Sequence, residues 1–260
     1  MGGNKIVLVG AGNVATHIGE ALIKNGYNVV QVYSRTKKSA SVLAKKLSTI
    51  FTTSLDELDG DADLYIVAIK DAIIQELIPS IVKGKKDALF VHTSGSMSIN
   101  LWEGYTDNYG VLYPMQTFSK QREVDFLQVP FFIEANNEEG INYLKTLANK
   151  LSHKVYEVTS EQRKYLHIAA VFACNFTNHM YAVCDRLLNE QNLPFEVMLP
   201  LIDETARKVH ELQPKDAQTG PAIRYDVNVI NSHMEMLAGK PEVQEIYEKI
   251  SKNIHRYDKL

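Results

Sequence analysis

The stretch "LHIAAVFACNFTNHMY" (166–181) is apolar enough for a helical core, yet it carries His167, Asn175, Asn178 and His179. An imidazole titrates close to neutrality, so it can hand a proton to a reacting atom and take one back. Carboxamides orient a polar substrate without titrating. At about 100° per residue, with Lys164 as zero, His167 falls near −60°, Asn178 near −40°, Asn175 near +20° and His179 near +60°. The four polar groups therefore share one stripe, about a third of the helix circumference wide. Two readings fit. Either the stripe lines a cleft, or the amides and imidazoles satisfy one another and nearby backbone inside a bundle or dimer interface. His167 and Asn175 are the catalytic candidates, and His179 is a candidate for substrate binding. No metal centre is expected, because neither a His-x-x-x-His pair nor a nearby carboxylate accompanies the stretch. In the loop "QTGPAIRYD" (218–226), Arg224 is suited to clamp a substrate carboxylate, and Asp226 either orients it or caps the next helix.

A second constellation opens the chain. "VLVGAGNVATHI" sets Gly10-x-Gly12-x-x-Ala15 directly after an apolar strand and at the start of a helix, with Asn13 and Val14 inside the same turn. Glycines let the backbone turn tightly and approach a pyrophosphate, whose charge is favoured at a helix N-terminus. An NAD site usually carries an acidic residue about 20 residues further on, gripping the ribose 2′-hydroxyl. Here "YSRTKK" offers Ser34, Arg35 and Thr36 followed by two lysines, with no carboxylate. A guanidinium forks onto phosphate oxygens, so the expected cofactor is NADP. Ala68, in "AIKDAII", sits where the chain passes the ribose and nicotinamide. Ser94 in "HTSGS" and Gln116 in "YPMQTF" end the next two strands. Ligands of open α/β sheets bind outside the carboxyl ends of the strands, which places Ser94 beside the cofactor and Gln116 beside the substrate. No nucleophile-elbow pattern surrounds Ser94 or Ser96.

These residues need elements to hold them. Apolar strands and amphipathic helices alternate through the first half of the chain, which implies a mostly parallel sheet covered on both faces. "SLDEL" (54–58) has the form of a capping box, Ser54 followed by Glu57. From Ser160 the pattern is helical only, at about 160–191, 195–212, 226–238 and 241–256, punctuated by Pro194, Pro214, Gly220–Pro221 and Gly239–Pro241. The expected architecture is α/β, with a nucleotide-binding domain at 1–158 followed by an all-α domain at 159–260.

The bulk properties narrow the partners. The 260 residues carry a formal charge of −3, which gives no overall attraction to nucleic acid or to a membrane surface. No apolar run approaches the ~20 residues of a membrane span, and no signal peptide is evident. The two cysteines, Cys174 and Cys184, lie about 15 Å apart along one helix, too far to bridge. They read as reduced, buried thiols, so the expected location is the cytoplasm.

With these residues in hand, the chain resembles the superfamily in which a dinucleotide-binding domain precedes a helical domain. That superfamily includes 6-phosphogluconate dehydrogenase, the β-hydroxyacid dehydrogenases and pyrroline-5-carboxylate reductase. In particular it resembles the bacterial family that joins a Rossmann-like domain to domain of unknown function 2520. The stretches carrying the likeness are "VGAGNVATHI", "SRT", "HTSGS", "YPMQTF", "AAVFACNFTNH" and "TGPAIRYD". The resemblance implies NADP-linked oxidoreductase chemistry on a small-molecule substrate and a homodimer formed through the helical domains. One departure stands out. The hydroxyacid dehydrogenases place a catalytic lysine four residues before the helix asparagine, and here Val171 holds that position. The sequence therefore supports an NADP-dependent oxidoreductase acting on a keto or hydroxy acid or an imine, with His167 as the proton donor. The alternative is an NADP(H)-binding sensor without turnover.

Overall fold

The computed structural model describes residues 5–85 and 87–257. The chain runs β1 (Lys5–Val9), α1 (Asn13–Lys24), β2 (Asn28–Tyr33), α2 (Lys37–Lys46), β3 (Ile50–Thr52), β4 (Leu64–Val67), α3 (Asp71–Val82), β5 (Leu89–His92), β6 (Tyr109–Pro114), β7 (Phe131–Ala135), α4 (Glu138–Leu151) and β8 (Val155–Glu157). Helices follow: α5 (Ser160–Ala170), α6 (Thr177–Asn189), α7 (Leu199–Glu211), α8 (Pro221–Arg224), α9 (Val227–Met236) and α10 (Pro241–Tyr257). The eight strands form one sheet in the order β3-β2-β1-β4-β5-β6-β7-β8. Neighbours are parallel except β6 and β7, where Tyr113 pairs with Phe132 across an antiparallel ladder. This is the expected α/β architecture, a Rossmann-type sheet followed by an all-helical region.

Period-two alternation builds two cores. Ile6 and Leu8 of β1 face the layer of α1, α2 and α4, while Val7 and Val9 face α3 and the wholly buried Trp102. Fully buried Leu64, Ile66 and Phe90 each contribute about 2 kcal/mol. Strand order reverses between β1 and β4, which opens a crevice at their carboxyl ends.

Two compact units divide the chain, 1–175 and 176–260. The first retains α5, because Arg163 of that helix is completely buried. In the second, α10 packs against α8 and α9. Tyr225 stacks on His255 at 4.5 Å between ring centroids, and the His233 Nδ1 lies 2.8 Å from the Tyr247 hydroxyl. The apolar residues that this second unit buries among those described are Ala222, Leu237 and Val243.

Several local expectations are corrected. Ser54 makes no side-chain cap, and Leu55–Glu57 is a single 3-10 turn. The Glu57 carboxylate accepts the Thr52 hydroxyl instead. The long helix is not uniform: Val171–Phe176 is a π segment between α5 and α6. Its wider turns advance each residue by less than the α-helical step, so the single polar stripe projected from 100° steps does not carry through to Asn178 and His179. Cys174 and Cys184 are free but not buried, the first exposed and the second half-exposed, because this helix leaves much of its apolar surface uncovered.

Candidate active site

The glycine turn joins three strand ends. The Gly10 amide donates to the Tyr33 carbonyl (2.8 Å), and the Ala68 amide donates to the Val9 carbonyl (2.8 Å). Gly10 has φ +129°, and a Cβ there would lie 2.2 Å from the Ala68 carbonyl oxygen. Only glycine fits such a conformation and such an approach. Gly12 caps α1 with open space around its missing side chain, and no side chain caps that N-terminus. Ala15 is buried under the turn, and Val14 packs against the core beneath it. The first amides of α1 thus face an open crevice, as a pyrophosphate site requires.

At the end of β2, Ser34 is half-buried and Arg35 and Thr36 are exposed. Thr36 gives its hydroxyl to Ser39 (2.9 Å). Arg35 has no hydrogen-bonding or ionic partner among the described residues, so its guanidinium is available to a phosphate.

The loop after β6 folds back over the glycine turn. The Asn13 side chain donates to the Phe118 carbonyl (2.8 Å), His17 Nε2 donates to the Ser119 carbonyl (2.9 Å), and Lys120 Nζ donates to the Ala11 carbonyl (2.9 Å). Gln116, at the head of this loop, is exposed, and its amide oxygen accepts from the Thr117 amide (2.7 Å).

The loop after β5 is held by charge. Asp71 begins α3, and its Oδ2 accepts the hydroxyls of Ser94 (2.8 Å) and Ser96 (2.6 Å). Arg163 reaches from α5 and donates Nε to the Ser94 carbonyl (3.2 Å) and Nη2 to the Met97 carbonyl, with Nη1 paired to Glu134 of β7. Glu134 also accepts the Ser160 amide (2.9 Å) and hydroxyl (2.8 Å). A Thr159–Gln162 capping box fixes the start of α5. One guanidinium therefore ties together the ends of β5, β7 and α5.

His92, the last residue of β5, is completely buried, and its Nδ1 accepts the Ser94 amide (3.1 Å). It is a packed strand residue. Burial, reinforced by the nearby Arg163 charge, lowers its pKa from the ordinary 6.5 to about 3. The unfolded chain therefore binds a proton that the native state refuses between about pH 6.5 and pH 3. The stabilisation is complete above that window and is lost as pH falls through it. Between pH 7 and about pH 4.5, His92 should cost roughly 2–3 kcal/mol of stability. Urea unfolding at the two pH values checks this: His92→Asn should flatten the dependence, and an unchanged slope would contradict it.

His167 is half-buried on α5, one turn beyond Arg163. Its Nδ1 lies 3.3 Å from the Tyr113 hydroxyl, at the end of β6. Both rings close over Gly95: a Cβ there would be 2.7 Å from His167 Nδ1 and 2.8 Å from Tyr113 Cζ. His167, Ser94 and the glycine turn thus all lie in the sheet-bearing unit. Asn175 is exposed in the π segment at that unit's end. His179, Arg224 and Asp226 lie in the second unit. His179 and Arg224 are exposed, and the Asp226 carboxylate caps α9 by accepting from the Val229 amide (3.4 Å). No group of three His, Cys, Asp or Glu side chains suited to a metal is found among the described residues.

Asp71, Tyr113, Glu134 and Arg163 were not singled out from sequence. Arg163 had a signal, since it stands one helical turn before His167 and so on the same face.

Residues 5–95 match the family "NADP oxidoreductase coenzyme F420-dependent", and residues 129–254 match "Domain of unknown function (DUF2520)". The chain matches no curated protein. Among solved structures it is similar to BF3122 of Bacteroides fragilis, described as a putative NADP oxidoreductase, at 59% identity over 98% of both chains and a TM-score of 0.94. An imine reductase from Myxococcus stipitatus in complex with NADP+ shares the fold at 14% identity, over 98% of this chain and 93% of that one, with a TM-score of 0.67. A 1-pyrroline-5-carboxylate reductase from Streptococcus pyogenes shares it at 13% identity, over 97% and 98%, with a TM-score of 0.63. The chain therefore belongs to the family in which an NADP-oxidoreductase-type Rossmann domain precedes a DUF2520 domain.

Proposed function

We propose that the protein is an NADP(H)-dependent oxidoreductase that reduces a small polar carbonyl or imine compound. The observation that carries this reading is the uncapped, open N-terminus of α1 beyond Gly12, together with the unpartnered Arg35 at the end of β2. The residues fit the cofactor: Gly10, Gly12, Asn13, Val14 and Ala15 at the pyrophosphate, Ser34, Arg35 and Thr36 at the 2′-phosphate, and Ala68 and Ser94 beside the nicotinamide ribose. The cofactor supplies a hydride when bound. The chain's own part is to orient the substrate and provide a proton. His167 is the proton donor, and Asn175 orients the substrate. Gln116 contributes to substrate binding from the loop after β6. In the helical unit taken by itself, Arg224 is suited to be an anion clamp, with His179 and Asp226 as further polar groups of that unit.

Arg35→Ala should weaken NADPH about tenfold or more, the worth of a charged hydrogen-bonded pair, while leaving NADH within about twofold. Titration of both cofactors by fluorescence checks this, and equal weakening of the two would count against the 2′-phosphate assignment.

A homodimer through the helical region is part of this proposal. Among the described residues, 176–257 expose Leu201 (63%) and Met236 (74%) and bury few apolar side chains. Exposed apolar surface on that scale is the mark of an interface, and a second copy of the chain is its proposed occupant. Sedimentation as a monomer at micromolar concentration would contradict it. Among the described residues, no helix is long and apolar enough to cross a membrane.

A further inference from the structure

We propose that Tyr113 is a positioning residue for His167: its hydroxyl engages Nδ1 and so reserves Nε2 as the nitrogen that exchanges a proton with substrate. This rests on the proton-donor reading of His167 given above. Three observations carry it. The Tyr113 hydroxyl and His167 Nδ1 are 3.3 Å apart, with the rings edge-on at 68°. Tyr113 is braced from behind by Phe132, its cross-strand partner in β7, at 6.2 Å between ring centroids. Both rings lean over Gly95, where a Cβ would come within 3 Å of each. The absence of a side chain at position 95 is what lets the pair meet.

The phenol suits this task. Burial raises the pKa of Tyr113 above the ordinary 10, against the opposing charge of Arg163 and with a smaller contribution from Cys174. The hydroxyl therefore keeps its proton and can either donate or accept. Toward a neutral imidazole it accepts from Nδ1–H, which leaves the Nε2 lone pair free to take up a proton. Toward the imidazolium it accepts from Nδ1–H, so one contact serves both states. In the reductive direction, the carbon of the substrate C=O or C=N bond receives the hydride supplied by the dihydronicotinamide. The Nε2 proton passes to the oxygen or nitrogen. The positive charge moves from the imidazolium to the oxidised nicotinamide, and the imidazole is left with its proton on Nδ1, toward Tyr113.

The test needs no substrate. The full-length protein is labelled with 15N-histidine, and the ring nitrogens of the eight histidines are read by NMR at a pH where His167 is neutral, with His167→Gln assigning the signal. The wild type should show the Nδ1–H tautomer with that proton hydrogen-bonded. In Tyr113→Phe the Nδ1 resonance should move to the position of an unbonded ring nitrogen, while the other seven histidines stay in place as the control for folding. Gly95→Ala, which forces the rings apart, should give the same change. An Nε2–H tautomer in the wild type, or an unmoved His167 signal in both variants, overturns the proposal. Because no turnover is involved, that failure is distinct from failure of the oxidoreductase reading. Once a substrate is in hand, Tyr113→Phe should lower kcat on the order of tenfold, the worth of about one hydrogen bond, with KM kept within about twofold. A raised KM at unchanged kcat would contradict the positioning role.

Discussion

Arg163→Met is expected to cost about 3–5 kcal/mol of stability, the usual penalty for removing one partner of a buried ion pair. The guanidinium is completely buried, and Glu134 keeps only 17% of its side chain exposed. Removing the arginine therefore strands a carboxylate with two remaining bonds from Ser160. It also releases the carbonyls of Ser94 and Met97, so the loop under His167 loosens with it. Urea unfolding measures the loss. The double variant Arg163→Met with Glu134→Gln should regain a substantial part of it, because no uncompensated charge remains. A single-variant loss below about 1 kcal/mol would mean the pair behaves like a surface salt bridge.

The largest effect on catalysis is expected at His167. His167→Gln should lower kcat about 10²–10⁴-fold, the range that general acid catalysis supplies, and leave NADPH affinity within about twofold. The separation follows from place: His167 sits over Gly95 and Tyr113, whereas the cofactor phosphates are assigned to the glycine turn and Arg35. NADPH oxidation in the presence of keto acids and cyclic imines measures it. Turnover unchanged in His167→Gln would remove the histidine from the mechanism.

What was legible in the sequence was local. Gly10 and Ala15 announce a tight turn because the steric demand lies within a few residues of the turn itself. The alternation of apolar strands with helices specifies the sheet, because burial on two faces leaves continuous apolar runs. The lack of a carboxylate in Ser34–Arg35–Thr36, just past β2, is equally visible in the sequence, and the proposed 2′-phosphate role of Arg35 rests on it. The Arg163–Glu134 tie was not legible. Its partners are separated by 29 residues and meet only because β7 returns antiparallel to β6 and delivers Glu134 beneath the start of α5. The approach of Tyr113 to His167 depends in the same way on the register of β6 and on an empty position at Gly95. Nor did the periodicity of "LHIAAVFACNFTNHMY" reveal the π segment, since a widened turn leaves no mark in a pattern read at fixed steps. Cys174 and Cys184 were misplaced for a related reason: apolar composition promised burial, but these helices expose many of their apolar side chains.

The most direct test of the account is a comparison of cofactor affinities on the wild-type protein. Isothermal titration with NADPH and with NADH, at the same ionic strength, should give the tighter Kd for NADPH by about tenfold or more, the contribution of a guanidinium to a bound phosphate. Tighter binding of NADH, or binding of neither nucleotide, would contradict it.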